Sequence, residues 1–356
     1  MSAPLPPSLL PPRGLVSEEE VQAWATFVAG SFAFKKPVPP TRDHFLRHFR
    51  NDPYSHDKAY IRVIMEDGAQ NEIVGSARLV LRPLSTGGWA AGVAEVCVAP
   101  RQRGRGLAQR LVQNVLATAA SLISRKPSLS MLHCSPSLVS MYAGMGYVPV
   151  STRWVHVWLK STLMEQAEGV SVQCLDFDAS SSAEVLQEMA VLPSAVVEVI
   201  ARDVPYFHAW TRNEVLAAPH TDVWGVRAKS GKLLAYCSLR RRVDGSMMLV
   251  DMRVSVGEDI VAIIRDVVNA VAKSSATSTL DGASSTDEIE LCIPAVLFEK
   301  DAMTGLCVEE GETDPGWMYK PLTDKLTSEE WQTFIARYRA QERANVAHLV
   351  WPIDHF

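Results

Sequence analysis

The segment from Glu95 to Leu111, EVCVAPRQRGRGLAQRL, decides how this chain folds. Val96 and Val98 alternate as strand residues do, Pro100 ends the run, and Leu107, Ala108 and Leu111 resume at helical spacing. Between them lies a turn of arginines and glycines: Arg101, Gln102, Arg103, Gly104, Arg105 and Gly106. A strand that passes through such a turn into a helix aims several main-chain N–H groups at one point, and none of them can pair within the helix. The positive end of the helix dipole stands behind them, and the glycines allow close approach to the main chain. The segment therefore predicts an anion site suited to a pyrophosphate.

Spacing separates the motifs that could build such a turn. The dinucleotide fingerprint GxGxxG requires glycine at 109, where Gln109 stands. A P-loop requires Gly-Lys-Ser/Thr, which is missing here. RxxGxG, at Arg101, Gly104 and Gly106, does fit. This pattern resembles motif A of the GNAT superfamily, the acyl-coenzyme A dependent N-acyltransferases. Taken alone, the six residues could also be a basic, solvated turn. The resemblance implies that Val96, Cys97, Val98, Arg101, Gln102, Arg103, Gly104, Arg105, Gly106, Leu107 and Ala108 bind acetyl-coenzyme A as co-substrate. In that reading the main chain of Val96 to Val98 polarises the thioester carbonyl.

The chain has 356 residues, enough for two domains of moderate size, and its 47% hydrophobic content supports real cores. A net charge of −5 argues against general nucleic-acid binding, so the arginines of the turn are a local feature. No apolar run has the length of a membrane span. The proline-rich opening, residues 1–14, reads as a flexible arm without the basic start of a secretion signal. Cys97, Cys134, Cys174, Cys237, Cys292 and Cys307 are scattered singly with no CxxC pair, which predicts free thiols, no metal site and a reducing, cytoplasmic setting.

Periodicity gives two similar halves. In the first, Ser17 and Glu20 form a capping box ahead of a helix through Val21, Trp24, Ala25 and Val28, and Thr41 to Phe49 reads as a second helix. Strands are expected at Tyr60–Met65, Ile73–Leu81 and Val93–Val98, then a helix after Gly106, a strand at Ser130–His133, and a short helix from Ser135 to about Gly144. Two last strands are expected at Tyr147–Val150 and Trp154–Leu159. This order resembles that of the GNAT fold over roughly 15–160. Met141 to Tyr147, MYAGMGY, resembles the family's second motif.

The second half repeats the pattern: strands at Val170–Phe177, Val223–Arg227, Leu233–Arg240, Met247–Val254 and Glu288–Leu297, and helices at Ser182–Leu192 and Glu258–Ala272. Its counterpart of the phosphate turn, Val254 to Asp259, has no arginine and two acids, and so makes a poor pyrophosphate site. The expected architecture is α/β, a GNAT fold with a mixed, mostly antiparallel sheet, followed over 168–356 by a degenerate GNAT-like domain. An unrelated α/β domain is the alternative for that second half. The layout resembles that of the mycobacterial enhanced-intracellular-survival and the fungal free-lysine acetyltransferases.

The resemblance implies direct attack of an amine on the thioester. An amine near pKa 10.4 is uncharged only about one time in a few thousand at pH 7, so a base is needed. Tyr142 matches the family tyrosine that protonates the departing thiolate, and Tyr147 the trailing core aromatic. Candidate bases are Glu95, on the fourth strand, and His133, on the fifth; each could equally be structural. The apolar tail His348 to Phe356 offers Asp354, His355 or the terminal carboxylate as a third choice. Cys97 reads as a buried passenger. Lys35, Lys36, Arg42, Arg47 and Arg50 could rim an acceptor pocket for a carboxylate or could be a solvated helix face. The expected activity is N-acetylation of a small amine or amino acid. A protein lysine or N-terminal amine is the alternative acceptor, and a non-catalytic acyl-coenzyme A binding scaffold the alternative class. The oligomeric state is left open.

Overall fold

Residues 73–83 are largely apolar, broken by Ser76, Arg78 and Arg82, as suits a strand covered on both faces. In the computed structural model they form a central strand, β3 (Ile73–Pro83), whose residues are buried from Ile73 through Arg82. The structure describes residues 8–34, 39–68, 71–85, 87–160, 169–177, 182–194, 199–217, 220–278, 288–297, 307–322, 329 and 331–333. They divide into two compact units, one running to Pro149 and including Gly316–Trp331, the other built mainly from Val150–Pro315.

In the first unit β3 lies between β2 (Ile61–Met65) and β4 (Trp89–Val98), both antiparallel to it. One face is covered by α1 (Glu18–Ser31) and α2 (Arg42–Arg50), which bury Trp24, Val28, Phe45 and Phe49 against Ile61, Val63 and Ile73. Trp24 keeps its indole N–H satisfied by donating to Ser76 Oγ at 2.9 Å. The first helix begins at the expected cap, Ser17 Oγ accepting from the N–H of Glu20, and the second is capped by Thr41 Oγ1, which accepts from the N–H of His44. On the other face α3 (Leu107–Ala120) buries Leu107, Leu111, Val112, Val115 and Ala119. Gly75 lets it come close, since a Cβ there would lie 3.0 Å from Leu111 Cδ1.

The parallel strand β5 (Leu129–His133) pairs with β4 over three positions, Ala90 to Gly92 against Leu129 to Met131, and no further. The chain then forms the short helix α4 (Val139–Ala143) and enters one long strand, β6 (Val148–Lys160), where the sequence suggested two.

The second unit repeats this order with β7 (Val170–Cys174), α5 (Ser182–Val191), a helical stretch α6 (Val204–Tyr206) continuing through a π-turn into α7 (Arg212–Ala217), then β8 (Thr221–Ala228), β9 (Leu233–Arg241), β10 (Met247–Val254), α8 (Ile260–Ser278) and β11 (Glu288–Pro294). Here too one parallel pair, β10 with β11, sits among antiparallel neighbours. Its core joins Leu186, Met189 and Phe207 to Tyr236, Met252, Val267 and Val271.

The last strands are exchanged. β6 follows the first unit in sequence but pairs with β11, from Trp154–Pro294 to Lys160–Glu288. The final strand, β12 (Cys307–Pro321), follows the second unit, yet Trp317 to Pro321 pair with His133 to Leu129 of β5. The domain boundary expected between 160 and 168 therefore differs from the observed division: Val150–Lys160 belongs with the second unit and Gly316–Pro321 with the first. Backbone pairing overrides sequence proximity, because each β5-like strand needs a neighbour.

The expected flexible arm is likewise ordered from Ser8 onward. β1 (Arg13–Gly14) pairs with β2, and Leu10 N–H donates to Met65 O at 2.9 Å. Prolines are tolerated at such an edge because few donors are required there. Residues 1–7 of the arm and the tail 348–356 lie outside the described residues.

Candidate active site

Glycines at 104 and 106 take left-handed φ values of 76° and 73°, a region open to glycine without strain. Gly106 is the N-cap of α3 and carries no side-chain acceptor, so the N–H groups of the first turn face outward without an internal cap; the first helical bond is Arg110 N–H to Gly106 O at 3.1 Å. A Cβ built at either glycine meets nothing within 4 Å, leaving room beside the main chain. The arginines divide their work. Arg101 is tied to Glu66 (3.1 Å) and Glu72 (2.9 Å), and buried Gln102 donates to Glu66 at 2.7 Å while accepting from Arg105. Arg101 and Gln102 thus anchor the turn to the end of β2, and exposed Arg103 and Arg105 are better placed to meet an anion.

The second unit has the same strand-to-helix corner in a different chemical state. Asp259 fills the α8 start with its own carboxylate, accepting from Val261 N–H at 2.8 Å and Ala262 N–H at 3.3 Å. An anion would meet a negative charge where the first unit offers free donors.

Because β4 and β5 stop pairing after Gly92 and Met131, the edge of Val93–Val98 that faces β5 has no strand partner among the described residues. β4 also carries a bulge: Cys97 opposes Ser76 but Ala94 opposes Arg78, an extra residue on β4. Tyr142 from α4 is buried, with Cys97 of β4 and Cys134, just past the end of β5, among its neighbours. Burial raises its pKa, and charge on Cys134, Tyr147 or Cys97 would raise it further, which places these groups around the phenol. Tyr147, edge-on to Tyr142 at 6.1 Å, shares a 2.7 Å hydrogen bond with Ser130 Oγ and is packed in the core, as expected. Cys97 is hydrogen-bonded to Ser31, and burial pushes its thiol up to about 12, which keeps it protonated and unreactive at neutral pH.

The two candidate bases fare differently. His133 is exposed at the end of β5, its ring 5.1 Å from that of buried Trp317 on β12. Glu95 is buried, and both its oxygens accept from Arg78, from Nε at 2.7 Å and Nη2 at 2.8 Å. That pairing, missed from sequence, had a signal: Arg78 and Arg82 interrupt the apolar run of β3 four residues apart, on one face, where buried charge demands partners. The basic residues of α2 are also engaged. Arg42 donates to Gln22 and Arg50 pairs with Glu18, joining α2 to α1; Lys35 and Lys36 lie outside the described residues. Among the described residues no group of three or more His, Cys, Asp or Glu could hold a metal, and no helix is long and apolar enough to cross a membrane.

Residues 14–150 match the family model described as an acetyltransferase (GNAT) domain. Over these residues the chain carries a GNAT acetyltransferase domain. No curated protein matches it in sequence. Among solved structures it is similar to a conserved protein of unknown function from Enterococcus faecalis (TM-score 0.61, 13% identity, 92% of this chain and 74% of that one). It is also similar to Eis1 from Mycobacterium abscessus (TM-score 0.56, 17% identity, 88% and 74%). A tandem GNAT protein from the clavulanic acid biosynthesis pathway matches with TM-score 0.54 at 14% identity, over 89% of this chain and 99% of that one. At these identities the likeness concerns the fold, which extends through the second unit: the chain is a GNAT domain followed by a GNAT-like α/β domain in tandem.

Proposed function

We propose that the first unit is an acetyl-coenzyme A dependent N-acetyltransferase whose acceptor is the amine of a small molecule or an amino acid. The observation that carries this reading is the uncapped, glycine-lined start of α3, set beside a splayed β4 edge with buried Tyr142 near Cys97 of that strand. The residues fit the co-substrate: N–H groups of Leu107 and Ala108 with Arg103 and Arg105 would hold its pyrophosphate, and the open space at Gly104 and Gly106 admits it. When bound, acetyl-coenzyme A supplies the activated acetyl thioester.

The chain's own groups do the rest. Main-chain donors of Val96–Val98 stabilise the negative charge that develops on the thioester oxygen, which requires no particular side chain. Tyr142, held protonated by burial, gives its proton to the departing sulfur. His133 is assigned to take the proton the amine loses.

Calorimetry with acetyl-coenzyme A, followed by thiol release over a panel of amines, amino acids and lysine peptides, tests this reading. One site per chain is expected, since Asp259 fills the corner in the second unit. Absence of binding would sink it. Binding without turnover on any acceptor would make the protein a scaffold, and turnover on peptides alone would move the acceptor to protein.

A further inference from the structure

Three described residues other than glycine have positive φ: Asn71, Glu95 and His220. Asn71 and His220 lie outside strands, but Glu95, at φ 53°, is inside β4. A left-handed glutamate within a strand is unfavourable and persists only if its surroundings impose it. Here the surroundings are a buried pair. Arg78 lies on the opposite strand at the edge of the bulge, opposing Ala94, and grips both oxygens of Glu95, so the bidentate bond spans the extra residue. Arg78 is itself fixed. Its Nη1 lies 3.9 Å from Asp52, which binds Arg82 at 2.9 Å and accepts from the N–H groups of Tyr54 (2.9 Å) and Ser55 (3.0 Å). Two guanidiniums and two carboxylates balance in the interior, and Ser55 Oγ ties this group back to β3 through Leu81 N–H at 2.6 Å.

We infer that Glu95 is a positioning residue: its clamp on Arg78 holds the left-handed bulge that turns the main chain of Val96–Val98 toward the cleft. The inference rests on the N-acetyltransferase reading for its kinetic consequence, but not for its structural one. Each Glu95 oxygen already accepts a hydrogen bond from the guanidinium, and we assign the carboxylate to this pairing rather than to proton transfer.

The test uses the full chain with Glu95→Gln and Glu95→Gly. Glycine accepts the left-handed φ without strain and has no clamp, so it separates backbone conformation from pairing. For both variants we expect a cooperative melt and acetyl-coenzyme A affinity within threefold of wild type. We also expect kcat lowered at least tenfold with the shape of its pH profile kept, and faster amide hydrogen exchange at Val96 to Val98. Loss of the acidic limb of the profile would make Glu95 the base and overturn the proposal. So would wild-type kcat, unchanged exchange at Val96 to Val98, or unfolding of both variants, which would make the pair a stability element only. Should the wild type bind or turn over nothing, the functional reading fails, and the exchange measurement still decides the clamp.

Discussion

Tyr142 gains its chemical character from position. Burial disfavours the phenolate, so the hydroxyl keeps its proton through the neutral range and is available as a donor. Tyr142→Phe should lower kcat by about 10²- to 10⁴-fold while leaving acetyl-coenzyme A affinity within threefold, measured by thiol release and calorimetry. Full turnover in that variant would remove the assignment. Gly106 is fixed by a different constraint. Its φ of 73° would cost an alanine roughly 1–2 kcal/mol, with no steric neighbour to add to it. Gly106→Ala should therefore lower the melting temperature modestly and weaken acetyl-coenzyme A binding, both readable in one calorimetric series. An unchanged affinity would indicate that the co-substrate does not rely on this turn. Among these residues, the glycines and the turn arginines could be read from spacing, and Tyr142 was implied by the resemblance of Met141–Tyr147 to the family's second motif. The pairing of Glu95 could not, because its partner is seventeen positions away on the neighbouring strand.

At the scale of elements, the decisive feature is the exchange of strands. β5 has β4 beside it for only three positions, so its other edge is satisfied by Trp317 to Pro321 of β12. Trp317, Met318 and Tyr319 are buried in the first unit by this pairing, and Cys134 N–H donates to Gly316 O at 3.0 Å. Trp317→Ala should cost about 3–5 kcal/mol in denaturant unfolding, the range for removing a large buried aromatic. A chain ending before β12 should leave the first unit aggregated or unfolded, because β5 would expose an unpaired edge. A soluble, cooperatively folded fragment of residues 1–160 would contradict this. In the second unit the buried Arg253 donates to the carbonyls of Met189 and Ala190, satisfying the end of α5 where a helix leaves acceptors unpaired. That interior charge serves local structure and requires no ligand.

At the scale of the whole molecule, the buried thiols and phenols set the response to alkali. Burial raises Cys97 and Tyr147 to about 12 and Cys292 to about 11, above the ordinary thiol and phenol values of 9 and 10. The unfolded chain releases these protons first, so the folded state holds more protons in that window and stability falls as pH rises. Unfolding free energy should be insensitive to these groups below about pH 9 and should decline between about pH 9 and 12. Urea titrations across that range, with tyrosinate absorbance as a second probe, check it. Stability that rose from pH 9 to 11 would contradict the burial of these side chains.

The sequence by itself determined most of the elements, the phosphate-type turn with its glycines, and the inequality of the two halves at Val254 to Asp259. Each of these is written in local spacing: period 2 or 3.6, the cap at Ser17, and a charge pattern within a few residues. Only the tertiary structure decided that Val150–Lys160 and Gly316–Pro321 trade places, that Glu95 faces Arg78, and that Arg101 and Gln102 anchor to Glu66. The physical reason is common to all three. Strand pairing and buried ion pairing are satisfied by whichever group the fold brings near, and a strand's hydrophobic pattern carries no record of its neighbour.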